Sequence, residues 1–152
     1  MKFKLSIIIG MFLFLSAVLA GAEEITENKV TTPKVESSEQ TIVYYLHMNR
    51  RCMTCEKLES YSQEAIEAGF EEQLKDSSIV YKVLNFEVEG NEHFAKDYKL
   101  FSQSVVISHQ IDGEETKWKN LDKIWELVHD KKEFIAYVQT ELKEFKKSLE
   151  SK

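Results

Sequence analysis

Cys52 and Cys55, the only cysteines of the chain, stand three positions apart at the end of a hydrophobic run, and that placement constrains the fold more than any other feature. The run before them, residues 41–47 (TIVYYLH), is short, β-branched and aromatic, and apolar on both faces. Such a segment reads as a buried strand of a mixed or parallel sheet. After them Leu58, Tyr61 and Ser62 continue a helical spacing that starts at Cys52 and Cys55. A second stripe runs through Ala65, Ile66, Phe70 and Leu74, with Gly69 a candidate kink. The pair is therefore expected where a strand feeds a helix.

The remaining elements follow from the same kind of reading. Residues 78–88 (SIVYKVLNFEV) again form a strand-like run, and Asn91 is placed to cap a short helix through Phe94, Ala95 and Tyr98. Residues 104–110 and 114–119 flank Asp112-Gly113, and an Asp-Gly pair between strand-like runs signals a hairpin. From Leu121 the chain is helical in two pieces. Asp130 and Glu133 give a capping pattern for the second, whose stripe of Phe134, Val138, Leu142 and Phe145 faces the core. Trp118 and Trp125 are expected to pack beside the hairpin and the terminal helix, with the lining of a substrate groove as the alternative. The predicted order is β-α-β-α-β-β-α, which gives an α/β domain over residues 41–152 with a four-stranded mixed sheet and helices on both faces.

Outside that domain the sequence changes character. Lys2 and Lys4 precede an unbroken apolar run that ends at Ala20, Gly21 and Ala22, the layout of a signal peptide over residues 1–22. An uncleaved membrane anchor is the alternative. Residues 23–40 are polar, carry the single proline, Pro33, and read as a flexible linker. Export would put the protein in the periplasm or outside the cell, where the environment is oxidising. The formal charge of the whole chain is −6, and loss of residues 1–22 would remove two lysines and no acid. A chain this acidic is repelled by nucleic acid and by anionic membrane surfaces, so neither is expected as a partner.

Three readings of the cysteine pair are open. In a redox pair, Cys52 at the start of a helix is the nucleophile, its thiol pKa lowered by unpaired amide hydrogens and the helix dipole, with Arg50 and Arg51 adding positive charge. Cys55, nearly a turn on, is then the resolving thiol. In a binding site, the same two thiolates hold a soft metal or metalloid such as As(III), Cu(I) or Zn, although structural zinc normally takes four ligands and the four histidines are scattered. In the third reading the pair is chemically inert and the protein is a redox-silent subunit of a larger complex. His47, five residues before Cys52, is a candidate for moving protons to and from Cys55, or simply a polar strand end. Glu56 fits the first helical turn on dipole grounds alone.

At these residues the chain resembles the thioredoxin-like superfamily across roughly residues 41–147, in the strand TIVYYLH, the motif Cys52-Met53-Thr54-Cys55 and the hairpin SVVISHQIDGEETKW. More closely, it is similar to a small bacterial family of exported thioredoxin-like proteins, the ArsF-type family named for a nitrophenyl compound nitroreductase subunit. RCMTCEKLE, HFAKDYKLFSQSVVIS and WKNLDKIWELVHDKKEFIAYV carry that likeness. The resemblance implies a thioredoxin-like fold and an exported dithiol protein. Three departures are visible. Arg51 stands where thioredoxins have a tryptophan, Met53-Thr54 where they have Gly-Pro, and Ser104 where they have a cis-proline facing the cysteines. A cis bond at a non-proline residue is costly, so a trans peptide is expected before Ser104. The superfamily's proline guides substrate backbone and keeps metals from the thiols, so Ser104 favours the binding alternative.

The resulting expectation is an exported thiol–disulfide oxidoreductase. Cys52 and Cys55 do the chemistry, and Arg51, Met53, Thr54, His47 and Ser104 line the site. The motif needs no organic cofactor, and the chain has no Gly-rich dinucleotide fingerprint and no flavin-binding pattern. Its partners would be another protein's thiols or disulfide and an upstream electron donor or acceptor.

Overall fold

The computed structural model describes residues 38–150. The expected signal peptide and the linker up to residue 37 lie outside the described residues. The elements are β1 (Glu39–His47), α1 (Met53–Gly69), α2 (Glu71–Lys75), β2 (Ile79–Asn85), α3 (His93–Asp97), β3 (Ser104–Ile111), β4 (Glu114–Asn120), α4 (Ile124–Leu127) and α5 (Lys131–Glu150). The predicted β-α-β-α-β-β-α order is present, with α2 as a short addition and α4 and α5 as the two helical pieces expected after Leu121.

The four strands form one mixed sheet in the order β2-β1-β3-β4. β1 runs parallel to β2 and antiparallel to β3, and β3 and β4 form the hairpin. The hairpin turns at Asp112 (φ 54°) and Gly113 (φ 83°). Both residues are left-handed, as the tight turn that matches strand twist requires. β1 begins two residues earlier than its apolar run suggests. Glu39 and Gln40, read as linker, pair with Ile111 and Gln110 of β3 through a backbone ladder that is indifferent to their polar side chains.

β1 is central and buried on both faces because successive side chains alternate. Val43 and Tyr45 point into a core with Leu58, Ile66, Phe134 and Leu142, built by α1 and α5. Ile42, Tyr44 and Leu46 point the other way, into a smaller core with Phe86, Tyr98 and Leu100, flanked by Phe94 and Ala95 of α3. Helices therefore cover both faces, as expected for an α/β thioredoxin-like fold.

Two local readings change. Asn91 does not cap α3. Glu92 occupies that position, while the Asn91 side-chain amide donates to the Asn85 carbonyl and so ties the loop to the end of β2. Gly69 is the last residue of α1 rather than a kink within a longer helix. A Cβ there would fall 2.7 Å from the Gln139 side-chain nitrogen, which donates to the Ala65 carbonyl at 2.9 Å, so glycine permits the close approach of α5. Asp130 caps α5 as predicted, accepting from the Glu133 amide at 3.0 Å.

Candidate functional site

β1 ends at His47, four residues of loop follow, and Cys52 occupies the N-cap of α1 with extended backbone angles (φ −137°, ψ 162°). A helix start leaves amide hydrogens without intrahelical partners, normally met by a Ser, Thr, Asp or Asn oxygen. Here the Cys52 sulfur takes that place and accepts from the Cys55 amide at 3.1 Å. It thus sits at the positive end of a seventeen-residue helix. In the reduced protein that position stabilises a thiolate over a thiol.

Cys52 and Cys55 are joined in a disulfide with Cα atoms 5.0 Å apart. Their environments differ sharply. Cys52 is exposed, whereas Cys55 is 3% exposed and packs beneath the first turn. Of the intervening residues, Met53 is 79% exposed and Thr54 half-buried. An incoming sulfur can therefore reach Cys52 and not Cys55.

The other expected site residues are distributed as follows. Arg51 forms an ion pair with Glu59, about two turns into α1, so part of its field at Cys52 is cancelled by a carboxylate. His47 is half-buried, stacks on the Tyr45 ring at 6.2 Å and donates from Nδ1 to the Met48 carbonyl. Among the described residues no hydrogen bond joins it to either sulfur. Ser104 opens β3 opposite Leu46, at the sheet end that bears the cysteines, with its hydroxyl turned back to the Ser102 carbonyl at 3.2 Å. No described peptide bond is cis, so the bond before Ser104 is trans, as expected.

Four residues at this site escaped the sequence reading. Gln103 is buried, and its side-chain amide donates to the Arg50 carbonyl in the cysteine loop at 3.1 Å. The Gln103 carbonyl in turn accepts from the Trp125 indole N–H at 2.9 Å. The segment before β3 is thus braced to the cysteine loop and to α4 without a proline. Tyr45, fully buried on β1, donates its hydroxyl to the Cys55 carbonyl at 2.7 Å. Burial pushes the Tyr45 hydroxyl well above the usual tyrosine pKa, against a smaller opposing effect of Arg51, so it remains a donor. Glu59 is the partner of Arg51. Only Trp125 carried any signal, as one of two tryptophans expected to pack beside the hairpin and the terminal helix.

Neither tryptophan is core. Trp125 is 36% exposed and serves through its N–H, while Trp118 is 37% exposed and packs on Tyr98. Trp118 lines a groove of about 420 Å³ with Tyr44, Phe94, Tyr98 and Glu115, on the α3 face of the sheet. A bulge between His109 and Gln110 brings Trp118 and Glu115 to that same face.

Among the described residues no three His, Cys, Asp or Glu side chains cluster in a way that could hold a metal ion. No protein-family model matches the chain, and no curated protein is significantly similar to it. Fold and site together define an α/β domain of thioredoxin-like architecture that carries a CxxC disulfide at a strand-to-helix junction. That arrangement is compatible with thiol–disulfide chemistry.

Proposed function

We propose that this protein is an exported thiol–disulfide oxidoreductase that exchanges with the thiols or disulfide of a partner protein. The observation that carries the reading is the asymmetry of the pair, an exposed Cys52 sulfur at the helix N-cap beside a buried Cys55. In the reducing direction the Cys52 thiolate attacks a sulfur of the partner's disulfide, forming a mixed disulfide and releasing one partner thiolate. Cys55, losing its proton, then attacks the Cys52 sulfur. The Cys52–Cys55 bond forms, the second partner thiolate leaves, and two electrons have passed to the partner. The oxidising direction is the reverse, beginning with a partner thiolate on Cys52.

Export rests on the N-terminal apolar run ending at Ala20-Gly21-Ala22, and an upstream electron donor or acceptor is required to reset the pair. The likeness to the exported ArsF-type family belongs to the same proposal. Redox titration of the domain, with both thiols read by alkylation and mass in the presence and absence of a tight chelator, tests it. A reversible two-electron transition indifferent to chelator is expected, and Cys55→Ser is expected to trap mixed disulfides at Cys52. Thiols that resist oxidation and alkylation until a chelator strips a bound ion would replace this reading with a soft-ion binding module.

A further inference from the structure

Two tyrosines send their hydroxyls from the sheet to carbonyls of α1 one turn apart. Tyr45 of β1 donates to Cys55 at 2.7 Å, and Tyr81 of β2 donates to Glu59 at 3.4 Å. The first bond is short and wholly buried, and its acceptor is the peptide of the resolving cysteine. The second is long, partly buried and a full turn beyond the dithiol.

We infer that Tyr45 is a positioning residue for Cys55, holding the peptide of that cysteine against the sheet so that its sulfur stays within reach of Cys52. This rests on the thiol–disulfide reading. The Cys52–Cys55 bond closes only if two sulfurs on one helical turn meet, and closure is favoured in proportion to how narrowly Cys55 is confined. The Cys55 carbonyl lies in the first turn of α1, just behind the N-cap, where helices fray most readily. A hydroxyl from a fully buried side chain on the central strand ties that turn to the most rigid part of the molecule. Tyr45 touches neither the partner nor the reacting sulfurs in this role. It acts through the peptide.

The test is equilibration of the domain with reduced and oxidised glutathione. The Cys52–Cys55 bond forms as the glutathione disulfide breaks, and two electrons and two protons pass to the two released glutathione thiols. Tyr45→Phe keeps the ring and removes the hydroxyl. Losing the tether is expected to lower the equilibrium constant for closing the disulfide about fivefold, which raises the midpoint potential by about 20 mV. Tyr81→Phe, which removes the matching bond a turn away, is expected to leave the midpoint unchanged and so separates positioning from general loosening of α1. Should Tyr45→Phe fold poorly, 3-fluorotyrosine at position 45 offers a stronger donor in the same space and is expected to shift the midpoint the opposite way. If neither change at position 45 moves the midpoint, or if Tyr81→Phe moves it equally, the inference is wrong. A wild-type domain that shows no reversible exchange would instead defeat the underlying thiol–disulfide reading.

Discussion

On the α1 and α5 side of the sheet Leu58, Phe134 and Leu142 have no exposed surface, whereas on the α3 side Phe86 and Leu100 are 7% and 8% exposed and an aromatic groove opens to solvent. The closed side is mostly apolar, and of its buried polar groups the His109 Nδ1 has no hydrogen-bond partner among the described residues. Ser62 bonds to the Leu58 carbonyl and Tyr45 to that of Cys55. The α3 side includes a polar network in which the Tyr98 and Ser108 hydroxyls both donate to the Glu115 carboxylate. The cysteines sit on the helix that the closed side supports. A dithiol whose closure depends on sub-ångström placement of one sulfur gains from the more tightly packed base.

Truncating matched leucines on the two sides gives the largest effect and the most direct way to break this comparison. Leu58→Ala is expected to cost about 4 kcal/mol, near the upper part of the range for a closed site, and Leu100→Ala about 2 kcal/mol. Urea unfolding midpoints at constant slope would measure both, and equal losses would mean that the α3 side packs as tightly as the other. Tyr98→Phe comes next, at about 1 kcal/mol, because Glu115 keeps Ser108 as a donor when the phenol is removed. A loss of several kcal/mol would instead make the polar network the main support of that side.

An alkaline titration has no effect at neutral pH and sharpens the comparison only above it. Burial pushes the hydroxyls of Tyr45 and Tyr81 upward on one side and that of Tyr98 on the other, and it pushes Tyr137 up to about 12. The unfolded chain gives up these protons near the ordinary value of 10.0 while the folded chain retains them. Stability should therefore be constant below that pH and fall as pH rises toward the folded values. Urea midpoints across this range are expected to decline less steeply in Tyr81→Phe and in Tyr98→Phe, each removing part of the loss. A decline abolished by Tyr98→Phe alone would assign alkaline unfolding to the α3 side.

Much of this was legible along the chain because the signals are local. TIVYYLH reads as a doubly buried strand, Asp112-Gly113 supplies the left-handed turn, and Asp130 with Glu133 marks the start of α5. The cysteine spacing likewise placed Cys52 at the start of a helix and Cys55 nearly a turn on. Legibility failed where a contact joins distant positions. A tryptophan at 125 gives no hint that its N–H holds the loop at Gln103, and Asn91 met the composition of a cap yet bonds to Asn85 instead. Arg51 adds positive charge near Cys52 by its place in the chain, and only the fold sets the Glu59 carboxylate beside it.

The sequence by itself determined the order of elements along the chain and the helix that begins at the cysteines, since each depends on periodicity or on neighbours within a turn. Only the tertiary structure decided what restrains that helix. Tyr45 and Gln103 reach Cys55 and Arg50 because the sheet brings the end of β1 and the start of β3 against the cysteine loop. Hydrogen bonds of that kind depend on distances that chain folding creates and that no local pattern encodes.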